Sequence, residues 1–171
     1  MSTAPLIPNR MSVEEYLHTS FDGADREYLD GEVFERNMGN KSHSKLQAKF
    51  IYLFYPLQTS HGIFVAPELR NRVRPTRFRI PDIAIYQAEP DAQVPTDPPL
   101  IAIEVLSPDD RTSYLMSKLE EYRQWGVRHI WIADPDAKKM FTYGDEGLRE
   151  VSQFVVPGLG VSLSASQLFD D

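Results

Sequence analysis

The spacing of apolar positions changes repeatedly along this chain, and each change marks an element. Ser12 precedes Val13, Tyr16 and Leu17 at helical spacing, and Glu15 completes a capping box, so a short helix is predicted there. Arg26 to Phe34 carries Asp30-Gly31 between two strand-like arms, the signature of a tight hairpin. Residues 41–60 place Leu46, Phe50, Leu53, Phe54 and Leu57 on one helical face, with Pro56 to kink the last turn and Gly62 to end it. From Ile63 the period becomes alternating. One strand carries Arg70, Arg72 and Arg74 on one face, Pro75-Thr76 turns the chain, and a second strand begins at Arg77 and Arg79 and continues through Ile80 to Tyr86.

After a loop rich in proline and aspartate (residues 87–99), Leu100 to Leu106 reads as a strand buried on both faces. Ser107-Pro108-Asp109-Asp110 has the chemistry of a helix start, with an N-cap hydroxyl, proline at the first position and acids in the first turn. Leu115, Leu119 and Tyr122 form the inward stripe of that helix, and Gly126 stops it. His129 to Ala133 is a further strand, and Lys139 to Val151 a hairpin turning between Gly144 and Gly147. The pattern assigns no element to the tail after Ser152, and residues 1–10 read as a loosely held leader. The central order of helix, three strands, helix and strand predicts an α/β or α+β fold, a mixed central sheet flanked by helices.

Composition narrows the chemistry more than the fold. At 171 residues the chain is expected to form one domain, and 42% hydrophobic with 25% charged residues is the balance of an ordinary globular protein. The absence of cysteine excludes disulfides, zinc–thiolate sites and thiol nucleophiles. MSTAPLIPNR lacks the basic and apolar regions of a signal peptide, and no run reaches transmembrane length, so no membrane partner and a cytoplasmic location are expected. A net charge of −7 disfavours non-specific nucleic-acid binding over the whole surface. The five arginines between Arg70 and Arg79 are the one basic concentration, expected either to position phosphates or to blunt a solvated edge strand.

Two charges stand where apolar side chains belong. Glu104 interrupts the Leu100–Leu106 strand, and a carboxylate there needs a partner. Lys118 lies on the inward stripe, three residues after Leu115 and four before Tyr122. Glu104 to Ser107 advances roughly 10 Å along the strand, and ten residues of returning helix retreat about 15 Å, which brings Lys118 back near the level of Glu104. Asp82 sits in the preceding apolar segment, and consecutive strands tend to be neighbours. Two acids in an apolar site raise one another's pKa unless a cation joins them, and a hard divalent ion such as Mg²⁺ suits that pair. The alternatives are that Pro81-Asp82 marks a turn or strand start, that Glu104 pairs with an internal arginine, and that Lys118 snorkels to solvent. Glu27, before the hairpin, and His43, in a first helical turn, are weaker candidates. His18, His61 and His129 show no metal-ligand spacing. No GxGxxG, P-loop, GxSxG or HExxH motif is present, and Ser107 has no evident histidine partner.

These residues resemble the Uma2-like restriction endonuclease family of the PD-(D/E)XK nuclease superfamily. The resemblance runs through Glu27-Tyr28-Leu29-Asp30-Gly31-Glu32, His43, Pro81-Asp82, Glu104-Val105-Leu106-Ser107-Pro108, Lys118 with Tyr122, Gly126-Val127 and Trp131-Ile132-Ala133-Asp134-Pro135. It implies a restriction-endonuclease-like core, with Asp82 and Glu104 as metal ligands, Lys118 as the catalytic lysine and Glu27 as an additional acid. The superfamily's usual lysine, two residues after the second acid, would fall at Leu106, so here the helix must supply it. Where members often carry an aspartate four residues before the helical lysine, this chain has Tyr114.

The expectation is a Mg²⁺- or Mn²⁺-dependent endonuclease acting on DNA, with the arginine strands and His43 along the backbone path. A homodimer is the simplest way to cut both strands. A nuclease-fold DNA-binding protein without turnover, and a domain in which Asp82, Glu104 and Lys118 form a structural ion-pair network, are the other two readings.

Overall fold

The computed structural model describes residues 10–170. The predicted N-terminal helix is α1 (Val13–Leu17), closed by the reciprocal Ser12–Glu15 capping box. The Asp30-Gly31 hairpin is β1 (Glu27–Leu29) and β2 (Glu32–Phe34), with both turn residues at positive φ. Asn40 caps α2 (Lys41–Phe54), and Pro56 divides the predicted helix, so that its end is a separate α3 (Leu57–His61) stopped by left-handed Gly62. The predicted leader, except Arg10, lies outside the described residues.

The segment read as two long strands is four short ones, β3 (Phe64–Pro67), β4 (Asn71–Arg74), β5 (Arg77–Arg79) and β6 (Ile83–Tyr86). The chain breaks at Glu68, whose φ of 51° no strand tolerates, and again at Ile80 to Asp82. The pieces then divide between sheets. β4 and β5 join the hairpin in an antiparallel sheet of order β2-β1-β5-β4. β3 and β6 belong to the main sheet with β7 (Ile101–Val105), β8 (His129–Asp134), β9 (Lys139–Gly144) and β10 (Gly147–Val151), in the order β10-β9-β8-β7-β6-β3. β7 and β8 are parallel and the other neighbours antiparallel, the mixed sheet that the sequence predicts.

The connecting helix α4 (Thr112–Trp125) starts later than Ser107-Pro108 predicts. Asp110 explains the delay. Its carboxylate accepts from the Ser107 amide at 2.7 Å and from Asn37 at 2.8 Å, and its own amide donates to Ser107 O, so a local turn takes the groups a helix start would use. Left-handed Gly126 ends α4 as expected.

Alternation along β7 sends Ile101, Ile103 and Val105 into a core with Leu46, Phe50 and Phe54 of α2. Ala102 and Glu104 point to the other face, where Ala102 packs with Leu119 and Tyr122 of α4. The tail that the pattern left unassigned is β11 (Gln153–Val156), a single 3₁₀ turn, β12 (Val161–Ser164) and α5 (Ala165–Phe169). It closes the α2 side, where Phe154 stacks on Trp131 with ring centres 4.4 Å apart. Among the described residues no helix is long and apolar enough to cross a membrane.

Candidate active site

Glu104 is placed by the pleat of β7, and Asp82 by the register of β6. Ile83 pairs with Ile103, Ala84 with Ala102 and Ile85 with Ile101, so extending the antiparallel register by one residue sets Asp82 beside Glu104 on the α4 face. The Val105 amide donates to Asp82 Oδ2 at 2.7 Å and locks that neighbourhood. Lys118 arrives from α4, only 5% exposed, with Nζ 3.0 Å from Glu104 Oε1, 2.8 Å from Glu27 Oε1 and donating to Ile80 O at 2.9 Å. The snorkelling alternative for Lys118 therefore does not hold. Three carboxylates and one ammonium converge from separate elements, on a cavity of about 310 Å³ that Arg36, His43, Asp110, Arg111 and Tyr114 also line.

The electrostatics separate the acids. Burial pushes Glu104 up, and Asp82 and Glu27 add to it against the pull of Lys118, leaving it at about 7. Burial would also raise Glu27, but Lys118 and Arg79 together bring it down to about 2. Asp82 is lowered in spite of burial because His43, Lys118 and Arg36 surround it. His43 Nε2 lies 3.3 Å from Asp82 Oδ2, and that hydrogen bond raises the imidazole. Gly39 makes room for the ring, since a Cβ there would fall 2.5 Å from His43 Nδ1.

These shifts predict the acid behaviour of the metal-free protein. Glu104, raised above its unfolded value, binds more protons folded than unfolded between about 4.5 and 7, so its contribution to stability grows as pH falls through that window. Glu27, depressed, contributes stability that is full above about 4.5 and lost as pH falls toward 2. Thermal melting in EDTA is expected to hold level or rise from pH 7.5 to 5 and then drop steeply below 4.5. Glu104→Gln should flatten the upper part and leave the acid drop. A melting temperature that falls steadily from pH 7.5 would contradict the assignment.

The arginine run does not form one face. Register pairs Arg72 with Phe78 and Asn71 with Arg79, so Arg72 and Arg79 lie on opposite faces, and a bulge between Arg72 and Arg74 turns the latter away. Arg79 is 0% exposed and bridges Glu27 at 2.9 Å and Glu121, so it cannot touch DNA. Arg70, before β4, is clamped by Asp25 and the carbonyls of Tyr16 and Thr19. Arg72 bonds Pro75 O, Arg74 bonds Gln124, and Arg77 pairs with Glu121 at 2.7 Å and Asp30 at 3.6 Å. The expected basic strip is thus replaced by separate local bridges.

Four participants were given no role in the site by sequence. Tyr114, noted as a departure from the family pattern, donates to Glu27, Glu121 pairs with Arg79, and Tyr122, noted on the apolar stripe and in the resemblance, donates to Glu104 at 2.7 Å. Each lies three or four residues from Lys118, a spacing that puts them on its side of the helix and could have revealed them. Arg36 is the fourth, donating to Asp82 Oδ1 at 3.1 Å from the loop after β2, and nothing in the local sequence announces it.

Asp82 and Glu104 are the residues that could hold a cation. Their donors are all oxygen, and a hard divalent ion would offset both the burial that raises Glu104 and the repulsion it feels from Asp82 and Glu27. Among the described residues no set of three or more His, Asp or Glu side chains is arranged to hold a metal, so water and substrate oxygens would have to complete the shell.

A family model described as "Uma2: Putative restriction endonuclease" matches residues 13–170. The chain belongs to the Uma2 family. A solved structure described as a "putative nuclease belonging to DUF820 from Anabaena variabilis ATCC 29413" superposes with a TM-score of 0.80 at 21% identity, covering 93% of this chain and 97% of that one. The fold is thereby the one expected of this restriction-endonuclease-like family. Among curated proteins, none matches this chain.

Proposed function

We propose that this Uma2 protein is an endonuclease that hydrolyses DNA phosphodiester bonds with the help of Mg²⁺ or Mn²⁺. The observation that carries the reading is the convergence of Asp82, just before β6, Glu104 of β7 and Lys118 of α4 on one cavity. Hydrolysis joins a water oxygen to phosphorus and breaks one phosphate ester bond, while the leaving oxygen gains a proton. Asp82 and Glu104 would hold the ion, which when bound supplies Lewis acidity and neutralises phosphate charge. Lys118 is the catalytic lysine of this reading. Glu27 and the Ile80 carbonyl fix its ammonium at the cavity wall, where it stabilises the charge that builds on the phosphate oxygens. Glu27 is a positioning residue, since its own oxygens are taken by Lys118, Arg79, Tyr114 and the Ile80 amide. Of the arginine run, exposed Arg74 bonds Gln124 near the C-terminal end of α4, while Arg36 and Arg111 are the arginines that line the cavity where a backbone phosphate would sit.

The test is cleavage of supercoiled plasmid and of single-stranded oligonucleotides with Mg²⁺ or Mn²⁺. The wild type is expected to nick or linearise the DNA, with activity lost in EDTA and in Asp82→Ala. Salt-sensitive DNA binding without cleavage would instead favour a binding protein of the same fold. Sedimentation of the free and DNA-bound protein tests the expected homodimer.

A further inference from the structure

Asp82 is not waiting free for a cation. Arg36 donates to its Oδ1 at 3.1 Å, while His43 and the Val105 amide take Oδ2. The Arg36 side chain is only 11% exposed, and although burial works against its charge, the carboxylates around it, Asp82 first, keep the guanidinium a cation. A guanidinium and a hard divalent ion compete for the same carboxylate lone pairs. A second acceptor lies nearby. Glu68 Oε1 is 3.9 Å from the same Arg36 nitrogen and about half exposed, at the turn that separates β3 from β4.

We propose that Arg36 is the resident counter-ion of Asp82, and that a divalent ion loads only by displacing its guanidinium from Oδ1 toward Glu68. The inference rests on the metal reading of the preceding section. Under it, Arg36 pairs Asp82 while Lys118 and Arg79 pair Glu104 and Glu27, so that the fold does not depend on the ion. Arg36 also sets the concentration of metal the protein needs.

Mn²⁺ binding, followed by electron paramagnetic resonance of the free ion, tests this without any turnover. Arg36→Met removes a charge-assisted hydrogen bond that the ion must otherwise break, so its dissociation constant for Mn²⁺ is expected to fall roughly tenfold or more. Melting in EDTA should occur at lower temperature than in the wild type, and saturating Mn²⁺ should recover most of the difference. Arg36→Gln, which keeps a neutral donor, should fall between the two and serves if the methionine variant does not fold. Unchanged or weaker Mn²⁺ binding by a folded Arg36 variant overturns the displacement while leaving the metal site standing. If Mn²⁺ binds neither wild type nor variant, or binds Asp82→Ala equally well, the metal reading itself falls and takes this inference with it.

Discussion

Replacing Arg79 with methionine is expected to cost about 3–5 kcal/mol of stability, as removal of one partner from a buried ion pair does. The side chain is fully buried, its guanidinium spans Glu27 and Glu121, and it lies 4.9 Å from the centre of the Tyr114 ring. Methionine fills much of the same volume, so the loss would come from two carboxylates left short of a partner rather than from a cavity. Urea unfolding followed by circular dichroism measures it. Arg72→Ala, which gives up surface bonds to the Pro75 carbonyl and a contact with the Phe78 ring, should cost only about 1 kcal/mol. Adding Glu121→Gln to Arg79→Met should recover part of the loss, because fewer charges are then stranded. Equal, small effects of Arg79→Met and Arg72→Ala would refute the bridging role.

Lys118→Met is expected to reduce metal-dependent DNA cleavage by roughly 10²–10³-fold, the scale set by removing a donor aimed at transition-state charge. The same change strands Glu27 and Glu104, which both lie within 3.0 Å of the ammonium, so a stability loss of about 3–5 kcal/mol is expected with it. Cleavage must therefore be compared at a temperature where circular dichroism shows both proteins folded. Lys118→Arg keeps the charge but cannot place a single compact ammonium between Glu27, Glu104 and the Ile80 carbonyl, so it should remain strongly impaired. Wild-type cleavage by folded Lys118→Met would remove the lysine from the mechanism and leave it as one member of a structural network.

Local chemistry made several elements legible. The Ser12–Glu15 capping box, the Asp30-Gly31 turn and the Gly126 stop act within a few residues, and each appears where the pattern places it. The meeting of Glu104 with Lys118 was also readable, although the helix starts at Thr112 rather than after Ser107. A lysine on an apolar stripe and a glutamate in a buried strand must each find a partner, and the β7–α4 connection leaves them each other. The strand boundaries were less legible. Positive φ at Glu68 and the unpaired Ile80 to Asp82 segment split apparently continuous alternation, and period alone does not reveal which sheet a short strand will join.

By itself, then, the sequence determined the mixed sheet, the adjacency of the segments that carry Asp82 and Glu104, and the inward lysine, because apolar period and the cost of burying a charge act at short range. Only the tertiary structure decided that Arg79 turns inward to Glu27 and Glu121 while Arg72 lies on the other face. It also decided that Arg36, 46 residues from Asp82 along the chain, becomes its counter-ion. The physical reason is that an arginine's partner is fixed by strand register, by a bulge and by the path of a loop, and these depend on contacts between segments far apart in the chain.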